Sequence, residues 1–254
     1  MPRPRLALAA VALLVLVAAG AYVAYDQVLS GDSVAPLALP SASADATASG
    51  EPSAVASAAA SSGASGEPAG AAGDVAGTWT VTIGSQAGYR VREQLASVPA
   101  GSDAVGRTSD VSGSITIESD GATTTLTGGT LTVDTTTITS DESRRDNRLR
   151  TEGLETDAFP TATFAITEPV EIPAGAVAGT ATDIALTGDL TLHGVTRAVT
   201  IPAQARLVDG IIQVAGSITF PLADFEIVAP SVGGFILSIA DEGALEFQVN
   251  FTKG

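Results

Sequence analysis

Cysteine is absent from the 254 residues, and histidine, tryptophan and methionine occur once each. No disulfide can brace the fold, no thiolate can bind a metal, no cysteine can act as a nucleophile, and none can carry a lipid anchor. The one histidine, His193, cannot by itself build a multi-histidine metal centre. Aromatic residues make up only 4%, and 12 Lys and Arg stand against 28 Asp and Glu, a formal charge of −16. A nucleic-acid-binding role would lack its electrostatic footprint. With neither a nucleophile-elbow nor an HExxH pattern in the chain, it is not expected to be an enzyme, and no cofactor or metal is expected.

What remains is apolar and small, in three regimes. Residues 1–29 read as a cytoplasmic stub and a transmembrane anchor, because Arg3 and Arg5 precede an uncharged run from Leu6 to Tyr25 and the next charge is Asp26. About twenty apolar residues cross a bilayer as a helix, and basic residues ahead of the run favour a cytoplasmic N-terminus. The expected localisation is the cell membrane, single-pass, with everything beyond the helix extracytoplasmic. Ala19-Gly20-Ala21 has the small-x-small form of a processing site, so a cleaved signal peptide and a secreted domain is the competing reading. The run is longer than the roughly 7–15 residues of a signal-peptide core, which favours the anchor. Residues 30–76 are Ala, Ser, Gly and Pro with a few acids and almost no large apolar residue after Leu39. Such a segment buries too little to offset the entropy of ordering, so a disordered linker is expected, spanning roughly 35–40 Å as a random coil.

Residues 77–254 read as an all-β domain. Trp79, Val81 and Ile83 share one face of the first strand, with Trp79 expected to plug a closed end. Tyr89 to Glu93 is the next strand. Ala96 to Ser109, polar and containing Pro99 and two glycines, reads as a mobile loop and a candidate gate. Val111, Gly113, Ile115 and Ile117 alternate with polar residues, Asp120-Gly121 turns, and a strand follows to Asp134. Ser140 to Ser143 can cap a short helix carrying Arg144, Arg145, Arg148 and Arg150. These arginines read either as an ion-pair belt with Asp141, Glu142, Asp146, Glu152 and Glu155 or as a phosphate clamp. Pro202 marks an edge or bulge. Two final strands, Phe235 to Ala240 and Gly243 to Phe251, place Leu245, Phe247, Val249 and Phe251 inward. Roughly eight to ten antiparallel strands result, the scale of an up-and-down barrel able to hold one apolar ligand.

The chain is organised around Gly188 to Arg197, where one strand ends, His193-Gly194 turns, and the next begins. Leu190 and Leu192 share the buried face. The His193 ring is expected to bond the backbone and fix the turn rather than act as a base or metal ligand. Asp189 and Arg197 are placed to pair across the two strands. Leu190-Thr191-Leu192-His193-Gly194-Val195-Thr196-Arg197, preceded by Ser143 to Arg150 and by Phe159-Pro160-Thr161-Ala162-Thr163-Phe164 and followed by Pro221 to Ile227, resembles the YceI-like family.

That resemblance implies an antiparallel lipocalin-like β-barrel with a short helix, binding a polyisoprenoid or other long apolar lipid in an internal tunnel, and makes a homodimer a reasonable assembly. The inward positions name the tunnel candidates: Val91, Ile115, Ile117, Leu131, Val133, Phe164, Ile166, Leu190, Leu192, Val214, Ile218, Phe220, Leu245 and Phe247. Arg90, Arg92, Arg144, Arg145 and Arg148 are the head-group candidates. The expected function is an extracytoplasmic carrier of an apolar lipid, tethered to the membrane by the N-terminal helix and binding no nucleic acid. The alternative is a structural or partner-binding barrel filled by its own side chains.

Overall fold

The computed structural model describes residues 34–40, 75–95, 98–229 and 236–254. The expected anchor and all of the expected linker except Val34–Pro40 and Val75–Ala76 lie outside the described residues. Among the described residues no helix is long and apolar enough to cross a membrane.

Among the described residues eleven strands follow in chain order: β1 (Gly77–Val81), β2 (Gln86–Leu95), β3 (Val98–Thr108), β4 (Val111–Ser119), β5 (Thr124–Asp134), β6 (Thr161–Ile166), β7 (Val170–Glu171), β8 (Thr182–Leu192), β9 (Val195–Val208), β10 (Ile211–Pro221) and β11 (Ile236–Lys253). Eight of them run in the order β1-β4-β5-β6-β8-β9-β10-β11, and pairing of β1 with β11 closes them into an antiparallel barrel. Closure leaves no free edge at the β1–β11 seam, while the sheet continues past β11 through β2 to β3, which ends it. Two-residue turns with positive φ join the tightest hairpins: His193-Gly194 between β8 and β9, and Asp209-Gly210 between β9 and β10.

β11 holds two strands on one edge. Its C-terminal end pairs with β1 from Trp79↔Lys253 to Val81↔Phe251, and its N-terminal part pairs with β2 from Gln86↔Gln248 to Leu95↔Ile236. The step between β1 and β2 is pinned at Ser85, whose hydroxyl donates to the Thr82 carbonyl at 2.7 Å and accepts from the Asn250 N–H at 3.0 Å. The two final strands expected from the sequence are therefore one, kinked by a register shift between Ile239 and Gly243.

The expected loop at 96–109 is largely a strand. β3 pairs with β2 from Ala87↔Thr108 to Leu95↔Val98. Its inner face is nearly bare, with Gly106 opposite Tyr89 and Ala104 opposite Val91. A Cβ on Gly106 would stand 2.3 Å from the Tyr89 ring. The large ring requires the small partner, and a strand built this way shows no apolar alternation. On its other edge β3 makes, among the described residues, one bridge, Arg107↔Thr139. The gap between β3 and β5 is spanned by a 3-10 turn (Thr135–Thr137), helix α1 (Ser143–Arg148) and a π turn (Leu149–Gly153).

At the opposite end Trp79 is buried and its indole N–H donates to the Val75 carbonyl at 2.9 Å, with Ile115, Ile117, Leu126 and Phe251 buried in the same cluster. A short helix, α2 (Ala174–Val177), buries Ala176 beside them. The organising corner is tied down as expected through its histidine: Nδ1 lies 3.1 Å from the Phe225 carbonyl, and Nε2 lies 2.9 Å from the Glu155 carboxylate. Arg197 does not pair with Asp189. Asp189 stands opposite Ala198, and Arg197 Nε donates to the Asp224 carbonyl at 2.9 Å. Pro202 lies one residue beyond Ala203↔Gly216, where β9 and β10 stop pairing, as an edge position requires.

Candidate ligand cavity

Inside the half of the barrel walled by β2, β3 and α1 lies a cavity of about 510 Å3, within the usual range for ligand sites. Strand alternation aims Leu131, Val133, Leu190, Leu192, Ile218, Leu245 and Phe247 into it, and Leu149 and Leu154 come down from the helical segment. Ile227, Ala229 and Ile239 lie at its open end, together with Glu142, Arg144 and Arg148 of the helical segment. A separate void of about 60 Å3 lies between Ile115, Ile117, Ile166, Val214 and Phe251, toward the Trp79 end.

Polar groups gather at one side of the cavity. Glu93, 3% exposed, points inward from β2 and meets Arg145 at Nη2–Oε2 3.2 Å and Nε–Oε1 3.4 Å. Asp141 takes the other arm of Arg145. Burial works against the Arg145 charge, but the hydrogen bonds and charge of Glu93, then Asp141, win and raise its pKa above the ordinary arginine value. The helix is held by Glu142, which caps the Arg144 N–H at 3.1 Å, and by buried Asp146, which accepts from the Ser140 N–H at 2.9 Å and hydroxyl at 2.7 Å. Tyr89 lies beside this group. Burial pushes its phenol up to about 12, and its hydroxyl is buried with no hydrogen-bond partner among the described residues. Arg144 and Arg148 line the cavity and make no ion pair among the described residues.

Of the fourteen tunnel candidates, Val91, Leu131, Val133, Phe164, Leu190, Leu192, Ile218, Phe220, Leu245 and Phe247 line the large cavity. Ile115, Ile117, Ile166 and Val214 do not. They pack in the closed half around the small void. Arg144, Arg145 and Arg148 stand at the cavity, whereas Arg90 and Arg92 require a correction. They alternate with Tyr89, Val91 and Glu93, so they project from the outer face, where Arg90 pairs with Asp103 at 3.1 Å and Glu246 at 3.3 Å, and Arg92 with Asp103 at 3.0 Å. Burial of Asp103 opposes its charge, yet the hydrogen bonds from Arg92 and Arg90 hold its carboxyl below the usual range. The sequence reading missed Tyr89 and Glu93. Their signal was available, since both alternate with Val91 on one strand. Among the described residues no group of three or more His, Asp or Glu side chains could hold a metal ion.

The architecture is that of a closed, eight-stranded antiparallel barrel with an apolar cavity and arginines at its side. The model of the YceI-like domain matches residues 79–251, and the chain belongs to that family. No curated protein matches. Among solved structures, a polyisoprenoid-binding domain from Saccharophagus degradans, implicated in plant cell wall breakdown, is 17% identical with a TM-score of 0.52, covering 70% of this chain and 99% of its own. BcnA from Burkholderia cenocepacia is 18% identical, TM-score 0.47, over 65% and 95%. The YceI protein of Campylobacter jejuni is 19% identical, TM-score 0.46, over 59% and 85%.

Proposed function

We propose that this barrel binds one long apolar lipid, an isoprenoid or a chain of similar length, and carries it on the outer side of the cell membrane to which residues 6–25 anchor it. The observation that supports this reading best is the cavity of about 510 Å3, apolar along its depth and polar at one side. Each buried methylene contributes about 0.8 kcal/mol, so ten of them offset much of the roughly 4–15 kcal/mol that association costs. The polyisoprenoid named for the Saccharophagus degradans domain is a ligand of this chemistry.

The polar side gives the ligand a direction. The lipid's head group lies against Arg144 and Arg148. No covalent step belongs to this reading: the two ring nitrogens of His193 face Phe225 and Glu155, at a turn rather than in the cavity.

Native mass spectrometry of the full chain purified from its own envelope, followed by organic extraction, tests the proposal. A stoichiometric long-chain lipid is the expected result. Bare protein that also fails to take up added isoprenoid alcohols would overturn it and favour a barrel that serves a partner protein. In a binding titration, Arg144→Ala with Arg148→Ala is expected to weaken an isoprenyl phosphate about tenfold, or about 1.4 kcal/mol, and the matching alcohol much less.

A further inference from the structure

Three side chains that alternate onto the outer face of the wall are buried: Val105 of β3 at 7% exposure, Glu246 of β11 at 3% and Ala215 of β10 at 6%. They lie along the path taken by Val34–Pro40, which crosses the outside of the barrel obliquely. Four hydrogen bonds mark that path. Arg90 Nη2 donates to the Val34 carbonyl at 2.7 Å, Arg107 Nη2 donates to the Ala35 carbonyl, the Leu37 N–H donates to Glu246 Oε2 at 3.1 Å, and Arg206 Nη2 donates to the Pro40 carbonyl at 2.6 Å. All four go to the backbone of the segment.

The receiving surface is built for this. Glu246 Oε1 is taken by Arg90 at 3.3 Å and Arg107 at 3.1 Å, which leaves Oε2 for a peptide N–H in a carboxylate whose side chain is only 2% exposed. Arg107 reaches Glu246 across Gly88, where a Cβ would stand 2.9 Å from the Arg107 Cγ. The segment suits its place. Pro36 and Pro40 fix φ and remove two donors that a wall of arginines could not satisfy, and they lower the entropy lost on docking. Leu37 and Leu39 are the half-buried residues of the segment.

We infer that the outer wall carries a peptide-docking site whose occupant is the chain's own Val34–Pro40, and that docking shortens the tether so that the cavity opening is held against the membrane. The consequence rests on the anchor in the function proposed above; the docking itself does not. The segment runs from Arg90, level with Ala244, to Arg206, level with Gln213, and so from the open half of the barrel toward its closed half. The N-terminal end of the segment, Val34, therefore lies on the side of the half that holds the cavity. Docked, the eight residues from Asp26 to Ser33 separate the anchor from the barrel, a reach of at most roughly 27 Å; released, the 49 residues from Asp26 to Asp74 separate them, a reach of up to roughly 165 Å. A lipid passing between bilayer and cavity meets a short gap in the first state and a long one in the second.

The absence of cysteine makes the test direct. Spin labels on Ala38→Cys and Ser217→Cys of the full chain report the docking, and a fluorophore on Arg150→Cys, read against a quencher in the bilayer of phosphatidylcholine vesicles, reports the approach of the rim. The expected result is a single narrow label distance and strong quenching, with Leu37→Pro broadening the distance and reducing the quenching at least twofold. A broad distance in the parent chain overturns the docking. A narrow distance that appears only between mixed singly labelled chains overturns the tether, since the segment then bridges two copies. A narrow distance within one chain that does not sediment with vesicles leaves the docking standing and refutes the anchor. Narrow distance, bound vesicles and equal quenching in Leu37→Pro overturn the shortening.

Discussion

At one end of the barrel Trp79, Ile115, Ile117 and Phe251 leave a void of about 60 Å3; at the other, continuations of the same strands enclose about 510 Å3. The walls explain the contrast. At the Trp79 end β1 pairs directly with β4 and the inward side chains are bulky. At the other end β2 and β3 take over, with Ala87, Ala104 and Gly106 facing in, and a helical segment instead of strand pairing closes the gap to β5. A packed core supplies the stability at one end and a ligand space opens at the other, within one sheet. The lesson is that a cavity needs no separate domain, only a local change of inward bulk and of the element that seals the wall.

The sharpest way to break this comparison is at the plug. Trp79→Ala is expected to lower stability by about 3–5 kcal/mol in denaturant unfolding, because the closed half has no space to collapse into. A loss under about 1 kcal/mol would mean that the closed half does not carry the fold. Next in size is the ion pair beside the cavity. Glu93→Ala strips half-buried Arg145 of its main partner and is expected to cost about 2–3 kcal/mol, much of which Glu93→Gln restores. Third, two aromatic substitutions set the halves against each other. Ala162→Phe grows into the large cavity and is expected to leave stability within about 1 kcal/mol while lipid affinity falls tenfold or more. Ile117→Phe overpacks the other half, costs about 1–3 kcal/mol, and leaves lipid affinity unchanged. Equal behaviour of the two would erase the distinction.

The smallest effect expected is one of pH. Tyr89 has its phenol raised to about 12 by burial, against an ordinary value of 10.0. Its neutral form is favoured by the fold, so this contribution is complete below pH 10 and is lost as pH rises from 10 toward 12. Melting temperatures between pH 9 and 11.5 should fall more steeply in the parent protein than in Tyr89→Phe. Parallel curves would contradict the burial of the hydroxyl.

Much of this was legible in the order of residues. The alternation of Leu190 and Leu192 around the His193-Gly194 turn, and of Val214, Ile218 and Phe220 on β10, depends only on strand geometry. The reading failed where the pattern depended on a partner across space. β3 looked like a loop because Tyr89 needs Gly106 beneath it, and nothing in residues 96–109 announces that. Arg90 and Arg92 were assigned to the rim because arginine suits a head group, although strand parity with Val91 already sent them outward. Ile115 and Val214 were placed correctly on the inner face, but which half of the barrel they fill depends on how the strands stagger. Val34–Pro40 gave the least warning, since its carbonyls meet arginines from positions 90, 107 and 206.

The double pairing of β11 has a consequence for how the chain reaches this shape. β1 and β2, residues 77–95, pair with residues 236–253, so the ring cannot close until about 140 intervening residues have been made and arranged. Pairings of such long sequence separation form slowly, in milliseconds to seconds for β-rich domains. During synthesis the β1–β2 edge stays exposed while the whole middle of the barrel emerges, an interval in which a chaperone that covers a bare strand edge would decide the yield.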